Sequence, residues 1–179
     1  MATPPTFTAG SVLTAAQMNA VGLWLVKTQT IGTGVSSVTV TGAFSADWDN
    51  YKIIISGSVA SGGADTSFQL SGITGSNYQT FGFFMTPGTA TINAYGPAVT
   101  TQWLTGSTNS VRWAHEFDVI SPFLSQQKFM LNMVGASTTG YYNFSGSCTS
   151  TASATGFTIT QNGGGTLTGG TIRVYGYRN

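Results

Sequence analysis

Short alternating runs of residues, each closed by a glycine-rich or polar turn, fill the chain from Ile31 onward. Residues 35–41 alternate apolar with small polar side chains, whereas residues 51–57 are apolar on both faces, which is typical of a central strand. Ten such runs predict an all-β fold, an antiparallel β-sandwich or jelly-roll-like domain over residues 31–179. The other eight runs are residues 66–70, 78–85, 90–95, 110–120, 128–134, 141–148, 157–160 and 171–177.

Residues 1–30 differ from this pattern and predict an N-terminal arm. Thr14 and Gln17 match the N-cap and N3 positions of a capping box, which predicts a short helix over about residues 15–24. Apolar residues are numerous for a segment outside a core, so we expect the arm to dock on another protein or, alternatively, on its own β-domain. The predicted anchoring residues are Phe7, Val12, Leu13, Met18, Leu23 and Trp24.

Charge is scarce in this chain. Six basic and five acidic residues make 6% of the sequence, against about a quarter in an ordinary domain. The basic residues form no stripe that would bind phosphates, so we expect no nucleic-acid partner. A surface so short of charge is weakly protected against self-association, which predicts a homo-oligomer.

Cysteine content and hydropathy decide whether disulfides or a membrane span are expected. Cys148 is the only cysteine, so no intrachain disulfide can form. The best apolar stretch, residues 21–26, is far shorter than the ~20 residues of a membrane span, and the first residues lack the positive region of a signal peptide. We expect no membrane insertion.

The only histidine, His115, stands beside Glu116 and near Asp118, where a catalytic group would first be sought. On a strand, however, His115 shares a face with Trp113 and points away from both acids, which favours a core histidine over a general base. Arg112, Glu116 and Asp118 share the opposite face and predict an ion-pair network at a subunit contact. Two carboxylates without a glycine-bearing acidic loop make a poor calcium site. We therefore expect no catalytic residue, no metal and no cofactor.

An exposed aromatic ring beside hydroxyl and amide groups can hold a sugar, and several aromatic residues lie near Gly, Ser, Thr and Asn. Such rings more often pack in a core. A glycan-degrading enzyme would also need a carboxylate pair at suitable spacing, and the five acids offer few options. The candidate glycan or receptor contacts are Tyr78, Tyr95, Trp103, Tyr141 and Tyr142.

Residues 7–19, FTAGSVLTAAQMN, resemble the N-terminal segment of many tailed-bacteriophage minor tail and fibre proteins. That segment usually reads as Gly, a small residue, apolar residues, Thr-Ala-Ala and then Asn. Residues 44–55, FSADWDNYKIII, and residues 169–178, GGTIRVYGYR, are similar to the β-rich domain that often follows it. The resemblance leaves roughly residues 60–160 unassigned.

The resemblance implies a non-enzymatic virion protein that is assembled in the host cytoplasm. It further implies a trimeric tail fibre or minor tail appendage, docked by its arm on tail or baseplate proteins and contributing to host attachment, with a host surface glycan as a further partner. A tail fibre normally has a long shaft, which these residues lack. A capsid decoration or cement protein that stabilises the head is therefore one alternative, and a glycan-binding or glycan-degrading phage protein is another.

Overall fold

The structure is a computed structural model that describes residues 10, 12, 22–89, 91–108, 110–138 and 140–177. Over these residues the chain folds into β-strands joined by turns and short loops. The strands are β1 Trp24–Thr30, β2 Ser37–Val40, β3 Asn50–Ala60, β4 Asp65–Leu70, β5 Tyr78–Met85, β6 Ile92–Thr100, β7 Trp103–Ser107, β8 Trp113–Ile120, β9 Lys128–Ser137, β10 Gly140–Cys148, β11 Phe157–Gln161, β12 Leu167–Thr168 and β13 Thr171–Tyr177.

Two antiparallel sheets form a β-sandwich, which confirms the predicted fold class. Within the described part of the chain, the larger sheet has nine strands in the order β1-β13-β3-β8-β9-β10-β5-β6, with β12 paired to β3. The smaller sheet has four strands in the order β2-β11-β4-β7. Each of the ten predicted runs overlaps an observed strand, whereas β1, β7 and β12 were not predicted.

The core lies between the sheets and is largely aromatic at its centre. Phe68 on β4 is fully buried, and its ring centroid lies 4.6 Å from that of Phe157, 5.1 Å from that of Phe117 and 5.9 Å from that of Trp103. These rings come from both sheets, because Phe117 belongs to β8 of the larger sheet and the other three to the smaller. The aromatic contacts therefore join the two layers directly.

Strand β1 differs from the sequence prediction, which placed residues 24–30 in the arm. Trp24, predicted to end a helix, instead opens a strand that pairs with β13, opposite Gly176. The ring of Trp24 stacks on Trp48 at 6.1 Å, and Trp48 covers Gly176 so closely that a Cβ there would lie 2.4 Å from the indole. Packing of the two indoles on the sheet outweighs the local helix signal. The rest of the predicted helix, apart from residues 22 and 23, lies outside the described residues.

Candidate interaction surfaces

Half of the larger sheet presents an apolar face to solvent. Strands β9, β10, β5 and β6 are neighbours, and every second residue along them turns away from the core. Seven large hydrophobic side chains on this side are between 38% and 63% exposed. We name this surface the outer apolar face; its members are Phe81, Ile92, Val99, Phe129, Leu131, Val134 and Tyr141.

The outer apolar face also lacks charge. The four strands that form it contain one charged residue, Lys128, and its side chain is buried on the opposite side. The Lys128 ammonium donates hydrogen bonds to the carbonyls of Leu124 at 3.0 Å, Ser150 at 3.3 Å and Gln126. Burial lowers the pKa of this ammonium from its ordinary value. The exposed side of these strands is therefore electrically neutral.

The ion pairs seen on this sheet among the described residues join β3 to β8. Lys52 Nζ lies 2.8 Å from Glu116 Oε1 and 3.4 Å from Asp118 Oδ1, and the Tyr177 hydroxyl donates to Asp118 Oδ1 at 3.3 Å. Burial opposes the charged form of Lys52, but the hydrogen bond to Glu116 and the charge of Asp118 outweigh it and raise the pKa of Lys52. Among the described residues, no ion pair is seen between these acids and Arg112, the partner that the sequence predicted. Lys52 takes that role because the β3–β8 register sets it opposite Asp118.

His115 is a core residue, as its strand position predicted. The side chain is 1% exposed, and its ring packs 4.6 Å from that of Trp113 and over Gly135, where a Cβ would lie 2.6 Å from His115 Cδ2. Nδ1 lies 3.5 Å from the Thr66 hydroxyl, and Nε2 has no hydrogen-bond partner among the described residues. Burial lowers the pKa of His115 to about 3, so the ring is neutral at pH 7.

The structure separates the five candidate glycan contacts into core and surface. Tyr78 and Trp103 are fully buried and Tyr142 is 8% exposed, so these three do not form the predicted recognition surface. The Tyr78 hydroxyl donates to the carbonyl of Ile73, and Trp103 Nε1 donates to that of Ser147. Their polar atoms are thus satisfied within the fold.

Two of the candidate aromatic residues do reach the surface, at different places. Tyr141 is 39% exposed and belongs to the outer apolar face. Tyr95 on β6 is half-buried, with its ring 5.5 Å from that of Phe144, and it lines an open pocket on the inner side of the sheet. The structure therefore does not bring Tyr95 and Tyr141 into one site.

Three of the six predicted anchoring residues lie within the described part of the chain. Phe7, Leu13 and Met18 lie outside the described residues. Val12 is 87% exposed and Leu23 is 51% exposed, whereas Trp24 is half-buried against Trp48. Trp24 therefore stabilises β1 within the sandwich.

Sequence patterns did not single out the outer apolar face, although one signal for it was present. Phe129 and Leu131 alternate with Met130, so β9 is apolar on both sides. A strand with two apolar faces in a two-layer fold must leave one of them uncovered unless another molecule packs there. Phe81 on β5 is likewise a large hydrophobic residue on the uncovered side of its strand.

Comparisons with known proteins found no relative of this chain. No protein-family model, curated protein or solved structure matches the chain. In the described part of the chain, no helix is long and apolar enough to cross a bilayer. No three His, Cys, Asp or Glu side chains come together there in a way that would hold a metal ion.

Proposed function

We propose that this chain is a structural subunit that associates with further copies of itself through the outer apolar face. The observation that supports the proposal is the run of seven exposed hydrophobic side chains across four adjacent strands without a charged neighbour on those strands. Large exposed apolar patches on a soluble protein often mark an interaction site, and seven large hydrophobic side chains are exposed here on one side of four adjacent strands. A partner that covers it would remove that surface from water, at about 25 cal/mol per Å² of apolar area.

A second copy of the chain is the partner that this surface fits best. The face carries no charge, so two copies can meet without like-charge repulsion and without desolvating an unpaired ion. Glu116 and Asp118 border the face on β8, and Lys52 pairs with both acids, so only a single negative charge remains at this border. The scarcity of charge in the whole chain points the same way.

We place this subunit in the virion of a tailed bacteriophage, as a non-enzymatic trimeric tail fibre or minor tail appendage. Support comes from the resemblance of residues 7–19 to the N-terminal segment of such proteins, and of residues 44–55 and 169–178 to the β-rich domain that follows it. In this role the arm docks on the particle and the sandwich projects outward, where it contributes to host attachment. Virion subunits act by contact, which is the task a neutral apolar surface serves.

The position in the particle is tested on purified virions of the phage that encodes the chain. We expect mass spectrometry to detect the chain in washed particles, and cryo-electron microscopy to locate it at the tail or baseplate. Particles assembled with a chain that lacks residues 1–22 should not retain it, because the anchoring contacts are then missing, while the sandwich from Trp24 onward stays folded.

Two other outcomes of the virion experiment would change the proposal. Density on the capsid shell, together with particles that break at lower temperature when the chain is absent, would favour the cement protein over the tail appendage. A chain that washes off intact particles, or that is incorporated at full occupancy without residues 1–22, would contradict the proposed anchoring.

A further inference from the structure

A pocket opens where the edge strands of the two sheets diverge. It lies between β5 and β6 of the larger sheet and β4 and β7 of the smaller sheet, and its volume is about 370 Å³. Small-molecule sites in proteins usually occupy ~300–1,000 Å³, so the pocket can hold a small ligand. Its polar and aromatic lining includes Ser67, Tyr95, Thr100, Thr101, Gln102 and Asn162.

Hydrogen bonds within the fold hold the walls of the pocket in place. The Thr100 hydroxyl donates to the Gln102 carbonyl at 2.6 Å, and Gln69 Nε2 donates to the Thr101 carbonyl at 2.9 Å, which together fix the turn between β6 and β7. On the other wall, the Ser67 hydroxyl donates to Asn162 Oδ1 at 3.1 Å. A ligand would therefore meet a preformed site and would not have to order these backbone segments on binding.

Several polar groups of the lining remain available for a ligand. Asn162 uses Oδ1 to accept from Ser67, which leaves its Nδ2 group to donate. Among the described residues, no hydrogen-bond partner is seen for the side-chain amide of Gln102, the hydroxyl of Thr101 or the hydroxyl of Tyr95. Gln102 and Tyr95 are half-buried, so a bound molecule would replace water at these groups.

The chemistry of the lining selects a class of ligand. Among the residues that the structure describes, no charged side chain lines the pocket, which disfavours anions and cations. Amides and hydroxyls both donate and accept hydrogen bonds, so they match a molecule whose groups do the same. The Tyr95 ring and the Leu104 side chain supply apolar surface beside these groups.

We infer that this pocket binds one neutral sugar unit, with its hydroxyls on Gln102, Thr101 and Asn162 and its apolar ring face against Tyr95. A pyranose combines several donating and accepting hydroxyls with a face of C–H groups, and this combination matches the lining. The inference stands on the pocket alone and does not depend on the assembly proposed above, because the pocket lies on the inner side of the sheet and the outer apolar face on the other.

The test is saturation-transfer-difference NMR on the full chain, which reports weak binding whether the chain is monomeric or assembled. The probes are the methyl glycosides of glucose, galactose and N-acetylglucosamine. The comparison ligands are N-acetylneuraminic acid, which is charged, and adenosine, which is neutral and aromatic. We expect saturation of the ring C–H protons of at least one neutral glycoside, and weaker transfer to both comparison ligands.

Variants locate the binding in the pocket. Gln102→Ala should weaken binding roughly fivefold, the loss of one neutral hydrogen bond. Tyr95→Ala should weaken it by about tenfold or more, while Tyr95→Phe, which keeps the ring, should lose less. The matched control is Gln29→Ala on β1, at the opposite edge of the same sheet, which should bind as the unmodified chain does.

Three results would overturn the inference. The first is the absence of transfer to every neutral glycoside. The second is stronger binding of N-acetylneuraminic acid or adenosine than of the neutral glycosides. The third is an equal loss of binding in Gln102→Ala and Gln29→Ala, or unchanged binding in Tyr95→Ala when its thermal unfolding shows that it is folded.

Discussion

Replacement of Phe68 by alanine is expected to lower the free energy of unfolding by about 3–5 kcal/mol. Phe68 is fully buried and contacts aromatic rings of both sheets, so its removal leaves a cavity that the surrounding rings, held by their strands, can fill only in part. Domains of this size are stable by about 5–15 kcal/mol, so the loss takes a large share of the total. Urea denaturation of the two proteins measures it as a shift in the midpoint.

Phe68→Leu is the matched control for this experiment. Leucine keeps most of the buried volume but not the ring contacts, so the loss should be clearly smaller than that of Phe68→Ala. Equal midpoints for the unmodified chain and Phe68→Ala would contradict the central position assigned to this ring between the two sheets.

Acidification from pH 7 to pH 5 is expected to lower the free energy of unfolding by about 2 kcal/mol through His115 alone. The pKa of His115 is about 3 in the folded chain and 6.5 in an unfolded one. Between pH 6.5 and pH 3 the His115 imidazole is therefore protonated in the unfolded state but stays neutral in the folded state. The contribution of the neutral His115 to the free energy of unfolding is fully present above pH 6.5. It is lost as the pH falls toward 3, by up to about 1.4 kcal/mol per pH unit.

The window from pH 5 to pH 7 isolates this effect. His115 is the only histidine of the chain, so no other side chain has an ordinary pKa there. Burial raises the pKa of Asp65, which works in the opposite direction because that carboxyl favours the folded state when it is protonated. This second effect extends upward from the ordinary carboxyl pKa of ~3.9, and it is shared by the unmodified chain and a variant without His115, so the difference between the two isolates the histidine.

The measurement is urea denaturation at several pH values for the unmodified chain and for His115→Leu. The variant has no imidazole to titrate, so its free energy of unfolding should change much less between pH 5 and pH 7, whatever its absolute stability. A flat profile for the unmodified chain, or an equal slope in His115→Leu, would contradict the assignment of a buried neutral histidine.

The sequence was sufficient to predict the strands whose pattern is local. Alternation of side chains with a period of two and turn residues at the ends mark a strand without knowledge of its partners, as on β8, where Trp113, His115 and Phe117 face inward and Glu116 outward. Strand β1 was missed because it is fixed by distant contacts. Trp24 packs on Trp48, and the strand pairs with β13 at the other end of the chain.

The surface features were harder to predict, for reasons that lie in the register of the strands. Tyr141 and Tyr142 are adjacent, and only the paired strands decide that Tyr142 joins Phe144 in the core while Tyr141 faces solvent. The pocket depends on contacts still more remote in sequence. Ser67 and Asn162 are 95 positions apart and meet only after both sheets have formed.

The central claim, that the outer apolar face joins copies of this chain, is tested most directly by sedimentation velocity. The chain has a mass of 18.6 kDa, and we expect an oligomer that is a multiple of it. Phe81→Lys should sediment as a monomer with unchanged secondary structure, because a charge in the contact would have to lose its water without a partner. The control Thr30→Lys, on the far edge of the same sheet, should remain oligomeric. An unmodified chain that is monomeric at all concentrations, or a Phe81→Lys variant that assembles as the control does, would contradict the claim.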